Sequence, residues 1–238
     1  MVRRSVLVGL GVSASLGLAY GINASVAWLQ YGRPRPASSA WADPLLDRFL
    51  PQCEIVERHS TLVHAPADVT LEATSDLDFE DSRVVRAIFK ARELLLGGKP
   101  AQNKLPRGLL AQMKAIGWGV LAEVPGHEIV MGAVTQPWVA NTRFHAGNPV
   151  EFVSFQDPGY VKIVWTLRAD AISATTSVFR TETRALALGP ESRAKFRKYW
   201  AFVSPGIKLI RLAMLRPLRR EAERRALLSQ SRPVDTTL

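Results

Sequence analysis

The sequence predicts an α+β fold in which antiparallel strands pack against a long C-terminal helix. Large apolar side chains recur every three to four residues between Pro190 and Leu228, the period that places them on one face of a helix. Upstream, segments such as residues 161–168 alternate apolar and polar side chains with the period of a β-strand. A helix with one apolar face is stable when a partner covers that face. We therefore expect the helix to cross the sheet, with a ligand-sized space between them.

The composition is that of one globular domain without a metal ion or cofactor. The chain has 238 residues, 47% hydrophobic and 22% charged, which is enough for a core and too apolar for a disordered protein. Cys53 is the only cysteine, so an intramolecular disulfide and a cysteine-based metal cluster are excluded. The four histidines are scattered, and neither a nucleophile elbow nor a Walker loop is present. We predict no metal, no cofactor and no standard hydrolase or phosphoryl-transfer chemistry.

The N-terminal residues 1–31 have the composition of a membrane anchor or a signal segment. Arg3 and Arg4 precede an uncharged run, residues 5–30, that exceeds the roughly 20 residues needed to span a bilayer. This length favours an uncleaved single-pass anchor, with the following domain outside the cytoplasm. Cleavage near Ala27, which would release a secreted protein, is the alternative.

The rest of the chain divides into a linker, a domain and a tail. Residues 32–43 contain prolines and serines and predict an extended linker. Residues 44–228 form the predicted domain, and residues 229–238 a disordered tail. Within the domain, strands are predicted over residues 53–63, 117–124, 127–138, 160–169 and 174–188, and helices over residues 67–74, 82–96 and 149–156.

Local signals place the ends of several elements. The pair Pro125 and Gly126 predicts the tight turn of a β-hairpin. Asp170 predicts the turn between the last two strands. Asn148 followed by Pro149 predicts a capped helix start.

The predicted C-terminal helix contains a break and a basic surface. The residues Ser204, Pro205 and Gly206 predict an interruption of the helix. The helix would restart there, with Ser204 as its N-cap and Pro205 at its first position. Much of the net charge of +10 lies in this helix, and such a surface attracts anionic membranes or nucleic acid. Nucleic acid is the weaker partner because no nucleic-acid-binding motif is present. The candidates for contact with anionic lipid are Arg219, Arg220, Arg224 and Arg225; a solvated helix face is the alternative.

Three segments carry a resemblance to a known superfamily. They are the strand-to-helix junction 63–69, residues 152–162 with their Pro-Gly turn, and residues 180–184 leading into 196–200. With the order of elements, they resemble the helix-grip fold of the START-like, Bet v 1-like and polyketide cyclase superfamily (SRPBCC) over about residues 53–226. The resemblance implies a pocket for a lipid, sterol, polyketide or other apolar molecule, and it implies no catalytic residue. The five predicted strands are fewer than the six or seven common in that superfamily.

A row of charged residues in the last predicted strand lies on one face of the sheet. Arg180, Glu182 and Arg184 alternate with threonines, and Val178 continues the row. If the row faces the helix, it forms a polar anchor at one end of an apolar pocket. If it faces away, it forms a salt-bridge ladder that contributes little stability.

Large apolar residues facing the space between sheet and helix form either a cavity wall or a packed core. The predicted geometry of a long helix across a curved sheet favours a cavity. The candidate cavity residues are Trp138, Trp165, Val178, Arg180, Glu182, Arg184, Phe196, Trp200, Val203 and Ile207.

Three functions are compatible with these features. Membrane-tethered binding of a hydrophobic small molecule, lipid-, sterol- or polyketide-like, is favoured by the N-terminal run, the resemblance and the lack of catalytic motifs. An enzyme of the polyketide cyclase or aromatase type, with Glu182 or a histidine as acid or base, is the second. The third is a pocketless membrane-surface interaction protein that uses its basic helix.

Overall fold

The computed structural model describes residues 17–78, 82, 85–88, 90–91, 97 and 105–230. The predictions for the start of the N-terminal run, for much of the helix over 82–96 and for the tail beyond residue 230 lie outside the described residues. Within these residues the chain forms an α+β domain, in which a curved antiparallel sheet packs against a long C-terminal helix. The predicted architecture of sheet and helix is confirmed.

Among the described residues, six strands form one antiparallel sheet. They are β1 (Ile55–Val63), β2 (Gly119–Val124), β3 (Glu128–Thr135), β4 (Phe144–His145), β5 (Val161–Ser173) and β6 (Thr176–Ala187). The order across the sheet is β1-β6-β5-β3-β2, and β4 pairs with β3. The predicted hairpin of β2 and β3 is confirmed, with Gly126 at a φ of 71° in its turn. The sequence does not predict β4, because two residues are too few to show a period.

The turn predicted at Asp170 is wrong. The chain turns at residues 174–175 instead, and Asp170 pairs with Val178 inside the ladder. Its carboxylate accepts hydrogen bonds from Arg168 Nε at 2.7 Å and from Arg180 Nη1 at 2.6 Å. Because these contacts hold the side chain against the sheet, a residue type that favours turns stays in a strand.

Helices cover both faces of the sheet. The C-terminal helix, Pro190–Gln230, and the helices Ala67–Ser75 and Leu109–Ala115 lie on one face, called the helix face below. The short helices Pro44–Asp47 and Pro149–Ser154 lie on the opposite, outer face. The interior strand β3 is consequently buried along its whole length.

Two predicted helix starts are present. Asn148 Oδ1 accepts a hydrogen bond from the Glu151 amide, and Glu151 Oε2 accepts one from the Asn148 amide, each at 2.9 Å. This reciprocal pair is the capping box that the sequence predicts. Ser82 Oγ accepts a hydrogen bond from the Val85 amide at 3.3 Å, at the start of the helical residues 85–88.

The C-terminal helix is continuous, and the predicted interruption at Pro205 is wrong. Both Pro205 and Pro217 lie inside the helix, where each removes one backbone hydrogen bond. Trp200 before Pro205 and Met214 after it both pack on the sheet side of the helix. This packing on both sides offsets the missing bond. The hydroxyl of Ser204 is buried without a hydrogen-bond partner among the described residues, so it does not cap a helix.

Residues 17–30 form a helix that lies against the C-terminal helix. Ala27 is buried in a cluster with Phe196 and Trp200. Arg197 Nη2 donates a hydrogen bond of 2.9 Å to the Trp28 carbonyl. Within the described part of the chain, no helix has the length and apolar character required to cross a membrane.

Candidate functional site

A cavity of about 1610 Å³ lies between the helix face of the sheet and the C-terminal helix. Small-molecule sites typically enclose about 300–1,000 Å³, so this cavity has room for a large ligand. Its wall is mainly apolar and comes from the sheet, the C-terminal helix, the helix Leu109–Ala115 and the residues Arg86, Ile88, Lys90 and Ala91.

The strands β5 and β6 form the floor of the cavity. Trp165, Leu167 and Phe179 line it, whereas Val164 is buried in the cluster on the outer face. The alternation follows from the two-residue period of a strand. The Trp165 ring meets the Trp118 ring edge-on, with 6.2 Å between their centroids. The period of β5 thus selects the side chains that a ligand in the cavity contacts.

The C-terminal helix forms the opposite wall. At Gly206 an added Cβ would lie 3.1 Å from Ile88 Cγ2, so the glycine allows residues 85–88 to approach the helix closely. The remaining apolar wall residues of this helix follow its three- to four-residue period. They include Val203, Ile207, Ile210, Met214 and Leu218.

The cavity opens beside the N-terminal helix. Phe202 and Leu209 line it and are also 49% and 54% exposed. Tyr20 of the N-terminal helix meets Phe202 edge-on, with ring centroids 5.8 Å apart. The rim beside the N-terminal helix is therefore apolar, whereas the exposed lining residues Arg86, Lys90, Asn141 and Arg143 are polar.

Arg211 is the cation of the C-terminal helix that lies in the cavity wall beneath this apolar surface. Its Nη1 donates a hydrogen bond of 2.8 Å to Thr181 Oγ1, and its Nη2 donates one to Thr183 Oγ1. Its guanidinium carbon lies 5.4 Å from the centroid of the Trp165 ring, within the range of a cation–π contact. β5, β6 and the C-terminal helix together fix the position of this charge.

Other titratable groups lie next to Arg211. Glu57 and His59 come from the helix-facing positions of β1, and His59 pairs with Thr181 in the ladder. Lys208 Nζ forms an ion pair of 3.3 Å with Glu57 Oε1. His59 Nε2 is buried, lies 3.9 Å from Glu57 Oε2 and has no hydrogen-bond partner among the described residues. The half-buried charge of Arg211 in the cavity wall therefore lies near an unsatisfied imidazole nitrogen that is not itself part of the lining.

Burial governs the ionisation of this cluster. Desolvation lowers the pKa of Arg211 to about 10, so the guanidinium remains charged at neutral pH. Desolvation, and then the charges of Arg211 and Lys208, lower the pKa of His59, so its imidazole is neutral at pH 7. Desolvation raises the pKa of Glu57, and Lys208 opposes this shift. At neutral pH the cluster therefore keeps the positive charge of Arg211 next to an uncharged histidine.

Sequence reasoning missed Arg211 by grouping it with the solvated basic residues of the helix. A signal was present. Arg211 follows Ile207 by four residues and precedes Met214 by three, so it lies on the apolar stripe. A charged residue on the buried stripe of a helix is uncommon unless it is paired or has a function.

The charged row of β6 faces away from the cavity. Arg180, Glu182 and Arg184 share one face, as the period predicts, but that face is the outer one. Glu182 accepts hydrogen bonds from Arg58 Nε at 2.8 Å and from Arg184 Nε at 2.7 Å. Arg184 also pairs with Asp47 at 2.5 Å. The predicted role of this row as a polar anchor of the cavity is therefore corrected.

The predicted linker residues help to cover this outer row. The Trp41 ring lies 6.0 Å from the guanidinium carbon of Arg58 and 5.8 Å from that of Arg180. Glu182 is 2% exposed and Arg184 is 5% exposed beneath this cover. The row is an enclosed ion-pair network rather than an exposed ladder.

The other candidate cavity residues lie in the cavity wall, in a separate buried cluster or on the outer face of the sheet. Trp165, Val203 and Ile207 lie in the wall. Phe196 and Trp200 are buried in a separate cluster with Ala27, against which Trp138 packs. Their rings fill that space, so they form core rather than cavity. Val178 occupies an outer-face position of β6, opposite Leu62 of β1.

The four basic residues proposed for the membrane surface differ in their pairing. Arg224 and Arg225 both donate hydrogen bonds to Glu221, and Arg225 also pairs with Asp76. Arg219 lies 3.9 Å from Glu223 Oε1. Arg220 is exposed.

Comparison with known proteins identifies no family. No protein-family model and no curated protein sequence matches the chain. Among solved structures, a hypothetical protein from Helicobacter pylori is 9% identical, over 79% of this chain and 99% of its own, with a TM-score of 0.38. The Zhui aromatase/cyclase from Streptomyces is 16% identical, over 72% and 94%, with a TM-score of 0.28. Norcoclaurine synthase from Thalictrum flavum is 12% identical, over 74% and 96%, with a TM-score of 0.32. At TM-scores this low, the cavity itself is the basis for a function.

Proposed function

We propose that this protein binds a hydrophobic small molecule in the cavity between the sheet and the C-terminal helix. The observation that carries the proposal is the cavity volume of about 1610 Å³ behind a mainly apolar wall. Burial of apolar ligand surface contributes roughly 25 cal/mol per Å². A lipid-, sterol- or polyketide-like molecule matches this wall in size and polarity.

The enzyme alternative, with Glu182 or a histidine as acid or base, has weaker support. No histidine is among the described residues that line the cavity. Glu182 lies on the outer face between Arg58 and Arg184. A carboxylate held by two guanidiniums on the far side of the sheet does not reach a substrate in the cavity. Binding without turnover is therefore the function that we propose.

A filled-cavity variant tests the binding function. N-phenylnaphthylamine, an uncharged probe whose fluorescence rises in apolar surroundings, should bind the full-length protein saturably at one site. Val203→Trp places an indole in the cavity wall and should weaken this binding at least tenfold. Leu212→Trp is the matched control, because Leu212 is 53% exposed on the same helix and should accept the indole without effect.

The two variants also define the outcome that would contradict the proposal. Circular dichroism and thermal unfolding should show that both variants remain folded. Non-saturable probe binding to the wild type, or equal binding by Val203→Trp and Leu212→Trp, would remove the cavity as the ligand site.

We propose in addition that the N-terminal segment holds the protein at a membrane, with the domain outside the cytoplasm. Leu18, Ile22 and Leu29 share one face of the N-terminal helix and are 67%, 55% and 67% exposed. An exposed apolar stripe of this kind suits contact with lipid. The protein should remain in the membrane fraction after a carbonate wash. Recovery from the culture medium with Trp28 as the first residue would instead indicate a cleaved signal.

A further inference from the structure

Arg211 is a half-buried charge that forms no ion pair with a carboxylate in the described part of the chain, although the more distant carboxylate of Glu57 favours its charged form. A guanidinium removed from water normally pairs with a carboxylate, because desolvation of an unpaired ion is costly. The acceptors at Arg211 are the hydroxyls of Thr181 and Thr183, which are neutral. The carboxylate of Glu57 forms its ion pair with Lys208 instead. No described carboxylate oxygen lies within 4.0 Å of the Arg211 guanidinium.

The accessible part of Arg211 belongs to the cavity wall. Thr181 and Thr183 hold it from the sheet, and the Trp165 ring lies 5.4 Å from its guanidinium carbon. A guanidinium has more N–H donors than two hydroxyls occupy, so donors remain for a ligand. Anchored between strand and ring, the group is preorganised, and binding an anion requires little further ordering of this side chain.

The surroundings of Arg211 contain one ion pair and a neutral histidine. Lys208 is one helical turn from Arg211 and adds a second positive charge that Glu57 offsets. His59 stands on the neighbouring strand with its Nε2 unsatisfied. The cavity wall also contains Arg86, Lys90 and Arg143, but these three side chains are exposed, whereas two threonines of the sheet hold Arg211 in place. A polar group with a fixed position determines which polar group of a ligand is accepted.

We propose that Arg211 binds the anionic head group of an otherwise apolar ligand, as a carboxylate, sulfonate or phosphate monoester would present it. The inference rests on the proposed function, because it assigns the polar end of the same cavity. A charge-assisted hydrogen bond to this guanidinium supplies the directly bonded anion that no described residue provides. A neutral ligand of the same shape would leave the charge uncompensated. The site therefore selects amphipathic acids over neutral apolar molecules.

A matched pair of fluorescent probes tests this selection in the full-length protein. Anilinonaphthalene sulfonate and N-phenylnaphthylamine share one ring system and differ by the sulfonate. The wild type should bind the sulfonate at least tenfold more tightly than the neutral probe. Arg211→Met should weaken sulfonate binding by about 10- to 100-fold, as expected for the loss of a charged hydrogen bond. Binding of the neutral probe should change less than about twofold.

Lys208→Met is the matched control, because it removes a nearby cation whose ion pair lies outside the cavity wall. It should leave the preference for the sulfonate intact. Arg211→Gln is the second test variant if Arg211→Met fails to fold, because glutamine keeps an N–H donor for Thr181 and lacks the charge. It should abolish the preference for the sulfonate in the same way.

The outcomes separate this inference from the proposed function. If the wild type binds both probes equally, or if Arg211→Met weakens both equally, Arg211 is a structural residue and the cavity function remains. If neither probe binds the wild type, the cavity function falls together with the inference. If the wild type prefers the sulfonate probe, competition with dodecanoate and with dodecyl phosphate identifies the head group. The compound that displaces the probe shows whether a carboxylate or a phosphate is preferred.

Discussion

The carboxyl group of Glu128 lies near that of Asp43 beneath the segment that covers the outer face of the sheet, and the proximity of Asp43 contributes to the raised pKa of Glu128. Both residues are buried, with 3% and 5% of their surfaces exposed. Asp43 Oδ1 also accepts a hydrogen bond of 2.8 Å from the Leu46 amide, at the start of the helix Pro44–Asp47. A buried carboxyl near a second acid favours its protonated form. The attachment of this helix to the sheet is therefore linked to pH.

Stability should fall as pH rises through the range in which Glu128 loses its proton. Desolvation, followed by the proximity of Asp43, raises the pKa of Glu128 to about 8. Between its ordinary value and about 8, the folded state holds a proton that the unfolded state has released. The free energy of unfolding therefore decreases with pH in this window and levels off above it.

Glu128→Gln removes this proton and should flatten the decline in melting temperature between pH 5 and 8. The exposed Glu123 lies on the neighbouring strand, and Glu123→Gln serves as the control with a wild-type profile. Thermal unfolding followed by circular dichroism across this pH range measures the difference. Identical profiles for wild type and Glu128→Gln would refute the protonation of Glu128 in the folded state.

The ion-pair network of the outer face should be sensitive to loss of Glu182. Glu182→Ala leaves Arg58 without its carboxylate and Arg184 with only Asp47, and should cost about 3–5 kcal/mol in free energy of unfolding. Asp170 also lies between two arginines, but its side chain is 20% exposed. Asp170→Ala should cost about 1 kcal/mol because solvent screens that pair. Equal costs in urea unfolding would contradict the burial argument.

Trp200 should contribute to stability and not to ligand binding. Its side chain is packed with Phe196 and Ala27 outside the cavity, so Trp200→Ala should destabilise the fold by about 3–5 kcal/mol. Affinity for N-phenylnaphthylamine should stay within about twofold of wild type. Phe202→Ala, at the half-exposed rim, should show the opposite pattern, with a small stability loss and weaker binding. Weaker binding by Trp200→Ala at unchanged stability would place Trp200 in the site.

Binding to anionic vesicles should depend on Arg219 and Arg220 more than on Arg224 and Arg225. Arg224 and Arg225 form ion pairs with Glu221. Arg219 has only a 3.9 Å contact with Glu223, and Arg220 is exposed. Each free cation near a lipid surface contributes about 1 kcal/mol, which salt screens. Charge reversal at Arg219 and Arg220 should lower co-sedimentation with phosphatidylserine vesicles at low salt. Charge reversal at the exposed Lys114 is the control. If it lowers vesicle binding as much as charge reversal at Arg219 and Arg220, the basic helix face is a solvated surface and not a lipid-binding one.

Local patterns predicted most elements of the fold but not the side chains of the cavity. The period of β5 and the capping box at Asn148 depend on neighbours a few residues away, so sequence reveals them. Asp170 and Pro205 contradict the local rules for turns and helices. Distant ion pairs keep Asp170 in a strand, and packing on the sheet keeps the helix intact at Pro205. Such long-range contacts leave no periodic signal.

The sequence by itself determined that Arg180, Glu182 and Arg184 share a face and that Arg211 lies on the apolar stripe of its helix. Only the tertiary structure decided which face meets the cavity. The two-residue period of a strand is the same whichever face of the sheet is covered. Here residues 39–47 cover the charged row of β6, while the C-terminal helix covers the threonines that alternate with it. Arg211 has a fixed position in the cavity wall because β6 places Thr181 and Thr183 against it, and a pairing between elements so far apart in sequence is set by packing.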